Sequence, residues 1–195
     1  NEQGYREVIG FSVAQGESEV SWNEFFEQLK ARGLKNVDHV TSDNHSGLVK
    51  AIRKSFGRAI WQRCQTHFSR NMLDKTPKQH EPAMKRALTD MYNAPSLQEA
   101  MRRKGRILTQ FDQTAPKATA LLDESFTDIA AVFSLPEDYR KRLRTSNAIE
   151  RLNEEIRRRE RVIRIFPNED SLVRLMGAVL IEQHDEWDSA DRRYF

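Results

Sequence analysis

The sequence predicts an α/β fold, and three observations carry that expectation. Short β-branched runs alternate apolar with polar residues, stretches of helical spacing fill the gaps between them, and the order strand, helix, strand, helix, strand holds up to Arg63. Tyr5 to Ala14 is the first predicted strand, with Ile9, Phe11 and Val13 on one face. Ser21 with Glu24 three residues later has the pattern of a capping box. Trp22, Phe25, Phe26 and Leu29 follow at i, i+3, i+4 and i+7, which gives that helix one apolar face, and Gly33 is placed to end it. Val37 to Ser42 is a second short strand, and Asn44 to Gly47 supply turn chemistry. Leu48, Val49, Ile52 and Phe56 mark a helix closed by Gly57, and Ala59 to Arg63 is the third strand.

After Cys64 the pattern changes. Strongly helical stretches run to about Phe133, punctuated by Pro77, Pro82, Pro95 and Pro116, and Ser96 with Glu99 forms a second capping box. No β-like run interrupts this block, so it reads as a helical insertion. Pro136 breaks it, a further helix begins near Asn147, and a last one spans Glu169 to Trp187 with Leu172, Leu175, Met176, Val179 and Leu180 as its core-facing stripe.

The chain has 195 residues, enough for one good core, of which 38% are hydrophobic and 31% charged. No apolar run reaches the roughly 20 residues of a spanning helix, and no signal-like segment opens the sequence. A single cysteine, Cys64, excludes an internal disulfide framework and fits a reducing, cytoplasmic setting. The chain starts at Asn1 and its first methionine is Met72, so a piece of a longer protein is expected. The net charge of +3 is mild, but its distribution is uneven. Acids outnumber bases up to Lys50, whereas Arg53, Lys54, Arg58, Arg63, Arg70, Lys75, Lys78, Lys85 and Arg86 dominate the next stretch, and a second basic run covers Arg140 to Arg164. Clustered Lys and Arg suit phosphate contact, although basic helix faces are also common as plain solvated surface.

Four groups of residues could carry chemistry. Asp43 ends the second strand, where a carboxylate can hold a divalent metal at the crevice of an open sheet, or serve only as a turn and N-cap residue. Glu150 would occupy the third helical position after an Asn147 cap, again a common capping place. It also shares a polar face with Asn153 and Arg157, beside an apolar face of Ile149, Leu152 and Ile156. Cys64 and His67 make a C-x-x-H pair, which is half a zinc site without a second cysteine to complete it. Arg157 and Arg158 lie in a run of arginines whose forks suit phosphate. Trp22 and Trp61 sit in apolar patterns and read as core.

Six segments together resemble the Mutator-type family of bacterial insertion-sequence transposases. They are Thr41 to Leu48 (TSDNHSGL), Trp61 to Phe68 (WQRCQTHF), Thr145 to Asn153 (TSNAIERLN), Glu155 to Arg159 (EIRRR), Ile165 to Asn168 (IFPN) and Glu182 to Trp187 (EQHDEW). The resemblance implies a ribonuclease-H-like mixed sheet, lacking its first strands here, with a large α-helical insertion before the last catalytic helix. The implied division is a partial core over 1–68, the insertion over 69–140, and the catalytic and closing helices over 141–195. It also implies an Asp-Asp-Glu site for Mg²⁺ or Mn²⁺, with Asp43 on the second Asp and Glu150 on the Glu. Cys64, His67 and Asn147 would organise that site or its DNA, and Arg151, Arg157 and Arg158 would contact phosphates.

The implied reaction is DNA transposition. Water frees a 3′ hydroxyl at the element's end, and that hydroxyl attacks target DNA without ATP, a nucleotide cofactor or a membrane. A homo-oligomer is expected of the full-length protein, in the bacterial cytoplasm with the nucleoid. The family's first Asp lies on a strand upstream of Tyr5, and Glu7 and Glu17 do not match it. The isolated chain is therefore expected to be inactive. Two alternatives remain: a non-catalytic DNA-binding remnant that modulates full-length transposase, and a helical domain that only dimerises.

Overall fold

A computed structural model describes residues 3–14, 16–163 and 166–189, the side chain of residue 163 excepted. In chain order its elements are α1 (Glu19–Ala31), β1 (His39–Ser42), α2 (Ser46–Ser55), β2 (Ile60–Arg63), α3 (Gln65–Leu73), α4 (Glu81–Tyr92), α5 (Leu97–Phe111), α6 (Pro116–Ala130), α7 (Glu137–Leu143), α8 (Asn147–Ile163) and α9 (Glu169–Ser189). Short 3-10 turns stand at Lys78–His80 and Ala131–Ser134. The chain is thus mixed α/β and mostly helical, and its sheet among the described residues is two parallel strands. It forms two compact units, residues 36–146 and residues 1–35 with 147–195.

In the unit of residues 36–146, β1 and β2 pair in parallel with His39 opposite Ile60 and Ser42 opposite Arg63. A parallel pair needs a crossover, and α2 supplies it, burying Val49, Ala51 and Ile52. The core lies in the helices that follow. Phe68 and Met72 of α3, Met84, Leu88 and Met91 of α4, Ile107 and Phe111 of α5, and Leu122 and Ile129 of α6 form one buried cluster. Met84, Leu88 and Met91 at i, i+4 and i+7 show the cause, since that spacing makes one apolar stripe. Pro82 sits in the first turn of α4 and Pro116 opens α6, where a missing N–H costs nothing.

Ser96 caps α5 by accepting the Glu99 N–H. The expected reciprocal arm of that box is not made, because the Glu99 carboxylate pairs with Arg102 and Arg103 instead. The sequence reading also passed over α7. Its seven residues are too few to show a helical period.

The other unit holds α1, α8, α9 and the N-terminal segment. Here Tyr5 to Ala14 departs from expectation, since none of it is strand. A period-2 pattern says which side chains share a face but supplies no neighbouring strand to complete a ladder. Side chains hold the segment instead: the Val8 N–H donates to His184 Nδ1 at 3.3 Å, and Arg32 donates to the Ile9 carbonyl at 2.9 Å. Phe11 and Val13 are half-buried as expected, but Ile9 is 49% exposed. Gly10 lies so close to α1 that a Cβ there would meet Leu29 Cδ2 at 2.8 Å.

Helix α1 starts a turn earlier than predicted. Its cap is Ser18, and Ser18 with Ser21 makes the reciprocal box expected of Ser21 with Glu24. The earlier start places Glu19 in the first turn, where the helix dipole favours an acid. At the other end Leu34 N–H reaches Leu29 O and Gly33 N–H reaches Lys30 O, with Gly33 at φ +107°. That is the Schellman arrangement, and Gly33 is its left-handed residue. Leu152 of α8 and Val179 and Leu180 of α9 are buried, and Arg159 ties the two helices through Glu182 at 3.0 Å.

Candidate functional site

The carboxyl ends of β1 and β2 lie side by side, because the Cys64 N–H donates to the Ser42 carbonyl at 2.7 Å. Asp43 and Cys64 are therefore the first residues beyond two adjacent parallel strands, at the edge where βα loops open a crevice. Asp43 is half-buried, and its Oδ1 accepts the His45 N–H at 3.3 Å. Among the described residues it has no ion pair with any base. The Ser42 hydroxyl donates to the Asp43 carbonyl and accepts the Trp61 indole N–H, which fixes the backbone on which Asp43 stands.

The chain returns to this edge after α7, and residues 143–146 are pinned there at several points. The Thr41 hydroxyl donates to the Leu143 carbonyl, and His39 Nε2 lies 2.9 Å from Thr41 Oγ1 and 3.2 Å from the same carbonyl. The Gln65 N–H donates to the Arg144 carbonyl at 3.0 Å. Ser146 donates to Cys64 Sγ twice, from its N–H at 3.3 Å and its hydroxyl at 3.2 Å. Arg144 in turn reaches Tyr92 O and Asn93 Oδ1. Cys64 is fully buried, and a ring nitrogen of half-buried His67 lies within 4.8 Å of its sulfur. Helix α8 begins at Asn147, the residue after this anchor.

With the Thr41 proton directed at Leu143, His39 Nε2 must be the donor, which leaves Nδ1 unprotonated, buried and without a hydrogen-bond partner among the described residues. Burial lowers the His39 pKa, and the Leu143 bond opposes that shift. A His with a depressed folded pKa contributes stability that is present above its unfolded value of about 6.5 and lost as pH falls toward the folded one. Urea unfolding should therefore show a steeper loss of stability between about pH 7.5 and about pH 5.5 for wild type than for His39→Gln. Equal slopes would show that His39 is not buried neutral.

Helix α8 carries the remaining predicted residues. Glu150 is half-buried in its first turn, and Asn147 is its first residue rather than the cap outside it. Arg151 and Arg157 are exposed and make no ion pair among the described residues. Arg158 forks onto Glu155 at 2.8 and 2.7 Å, and Arg159 joins the same carboxylate at 2.9 Å. The hydrogen bonds from Arg158 and Arg159 hold the Glu155 pKa down to about 2.

Arg63 corrects the phosphate-contact reading of the basic stretch. It is 5% exposed, its guanidinium lies 5.0 Å over the Phe68 ring and donates to Ser125 Oγ, and burial lowers its pKa. Sequence reasoning also missed two buried amides. Gln62 donates to Ile129 O and accepts the Val132 N–H, and Gln65 donates to Ile129 O as well. Gln62 had a signal, a glutamine inside a strand-like run, where a buried amide stays only if it is bonded.

The motif Trp61 to Phe68 thus joins the sheet edge to the helical core, while Asp43 and Thr145 to Ser146 meet at that edge. A family model described as "Transposase, Mutator family" matches residues 1–190. The chain belongs to the Mutator family of transposases. Over 193 residues it is 46% identical to the transposase for insertion sequence element IS256 in transposon Tn4001 from Staphylococcus aureus, covering 98% of this chain and 49% of that one. It is 41% identical over 194 residues to the transposase for IS1081 from Mycobacterium tuberculosis, covering 100% and 46%. A third relative, the transposase for ISRM5 from Rhizobium meliloti, is 40% identical with 97% and 48% covered. The chain spans about half the length of these curated relatives. No helix among its described residues is long and apolar enough to cross a membrane.

Proposed function

We propose that this chain is the catalytic portion of a transposase that cuts DNA at an element's ends and transfers the freed 3′ strand to target DNA. The observation that carries the reading is Asp43, a carboxylate with no ion-paired base among the described residues, at the carboxyl edge of a parallel sheet and inside a family-matching segment. The two strands and α2 are read as part of a ribonuclease-H-like core over 1–68 and 141–195, with 69–140 as its helical insertion.

Mg²⁺ or Mn²⁺ is the cofactor this reading requires, and the donor set fits it. Hard divalent cations take carboxylate oxygens, and Asp43 spends one oxygen on a long N–H bond and, among the described residues, none on a basic side chain. Asp43 and Glu150 would hold the ions, with a third carboxylate needed to complete the set. Bound there, such ions supply an activated hydroxyl nucleophile and stabilise the leaving oxygen. Asp43 and Glu150 fix where that charge sits, and Cys64, His67 and Asn147 support the edge around it. Arg151 and Arg157 offer exposed guanidinium forks to the phosphate backbone, and Arg158 can join them by releasing Glu155.

Fluorescence anisotropy with an element-end duplex tests the reading. Binding should weaken steeply with salt, and replacing Arg151, Arg157 and Arg158 with Gln should reduce the log–log salt slope by up to about 3. No DNA affinity at low salt would overturn the reading.

A further inference from the structure

We propose that Cys64 is a positioning residue, and that its sulfur, through Ser146, fixes the start of the helix that carries Glu150. The inference rests on the metal-site reading above and assigns the cysteine of the C-x-x-H pair a specific task. Three contacts make the relay. The Cys64 N–H holds Ser42 O at 2.7 Å, which sets the residue beside Asp43, and Cys64 Sγ receives both the N–H and the hydroxyl of Ser146. One residue therefore grips the strand end before Asp43 with its backbone and the residue before α8 with its side chain.

Two features say that this is more than packing. A buried thiol that only filled space would need apolar neighbours, whereas this one takes two donors on its single sulfur. Those donors also come from the residue before α8, where a free N-terminal N–H otherwise needs a cap. The same short segment is also held by Thr41, through the Leu143 carbonyl, and by Gln65, through the Arg144 carbonyl. Losing the sulfur should therefore loosen Ser146 and the first turn of α8 without unfolding the helical core.

The test compares Cys64→Ala, Cys64→Ser and Ser146→Ala with wild type by amide hydrogen exchange and by Mn²⁺ titration. Asp43→Asn and Glu150→Gln serve as controls for the metal reading. Cys64→Ala should speed exchange at Ser146 and the first turn of α8 at least tenfold and weaken Mn²⁺ binding several-fold. Cys64→Ser, which keeps a polar acceptor, should restore most of both. Ser146→Ala should reproduce a smaller version, and it guards against a Cys64→Ala chain that fails to fold. Unchanged exchange at residues 146–150 in both alanine variants would overturn the proposal. So would unchanged Mn²⁺ affinity in both while the Asp43 and Glu150 controls lose it. If those controls keep Mn²⁺ binding while exchange rises as expected, the metal reading fails and only the mechanical grip survives.

Discussion

Cutting Phe68 back to alanine should destabilise the unit of residues 36–146 by about 3–5 kcal/mol, the range for deleting a fully buried aromatic ring. Phe68 is 0% exposed at the start of the helical core, one turn below Met72. The loss combines the apolar area of the ring with the cavity that surrounding helices fill only in part. It also strips the face on which the buried Arg63 guanidinium rests at 5.0 Å, leaving that charge with Ser125 as its remaining side-chain hydrogen bond among the described residues. Against a typical total stability of about 5–15 kcal/mol, this is a large fraction. In a chain of this size it should lower the melting temperature by roughly 10 °C. Urea unfolding followed by circular dichroism checks it, and a loss under about 1 kcal/mol would show a core looser than the burial of Phe68 implies.

Phe68 also illustrates what was legible in the sequence. The helices from Cys64 onward announce themselves through apolar spacing and through prolines in their first turns, and Met84, Leu88 and Met91 bury as that spacing requires. β1, α2 and β2 are legible for the same local reasons, since strand-like runs, turn residues and glycines bracket them. Tyr5 to Ala14 shows the limit. Its alternation is a true sequence property, yet strand formation depends on a distant partner that no local pattern specifies.

The site divides the same way. Asp43 at a strand end could be placed by inspection, but its chemical role could not be separated there from an ordinary Asx turn. The turn is in fact made, to the His45 N–H, and the proposed metal role would share the same side chain. Arg63 misled, because a basic residue in a basic stretch reads as surface until its ring partner and Ser125 are seen. The pinning of residues 143–146 by His39, Thr41 and Cys64 was beyond reach. Those contacts join positions about a hundred and about eighty residues apart, and long-range pairing leaves no local period to read.

The second large effect concerns metal. Asp43→Asn and Glu150→Gln each exchange a carboxylate for a neutral amide of the same shape, which a hard cation binds far less well. For Asp43 the exchange is informative, because an asparagine carbonyl can still accept the His45 N–H. The turn therefore survives while the ligand charge is lost. Stability should change little, by under about 1 kcal/mol for each variant, since neither residue lies in the buried core. Metal affinity should fall at least tenfold in each, equivalent to about 1.4 kcal/mol of binding free energy. In the double variant it should vanish.

Mn²⁺ titration of the folded wild-type chain beside these two variants, followed by electron paramagnetic resonance of the free ion, is the most direct measurement. Saturable binding in wild type that is weakened in both single variants and absent from the double one is the expected result. Wild-type binding that persists unchanged through Asp43→Asn and Glu150→Gln would contradict the assignment of these two carboxylates as the metal ligands of a transposase.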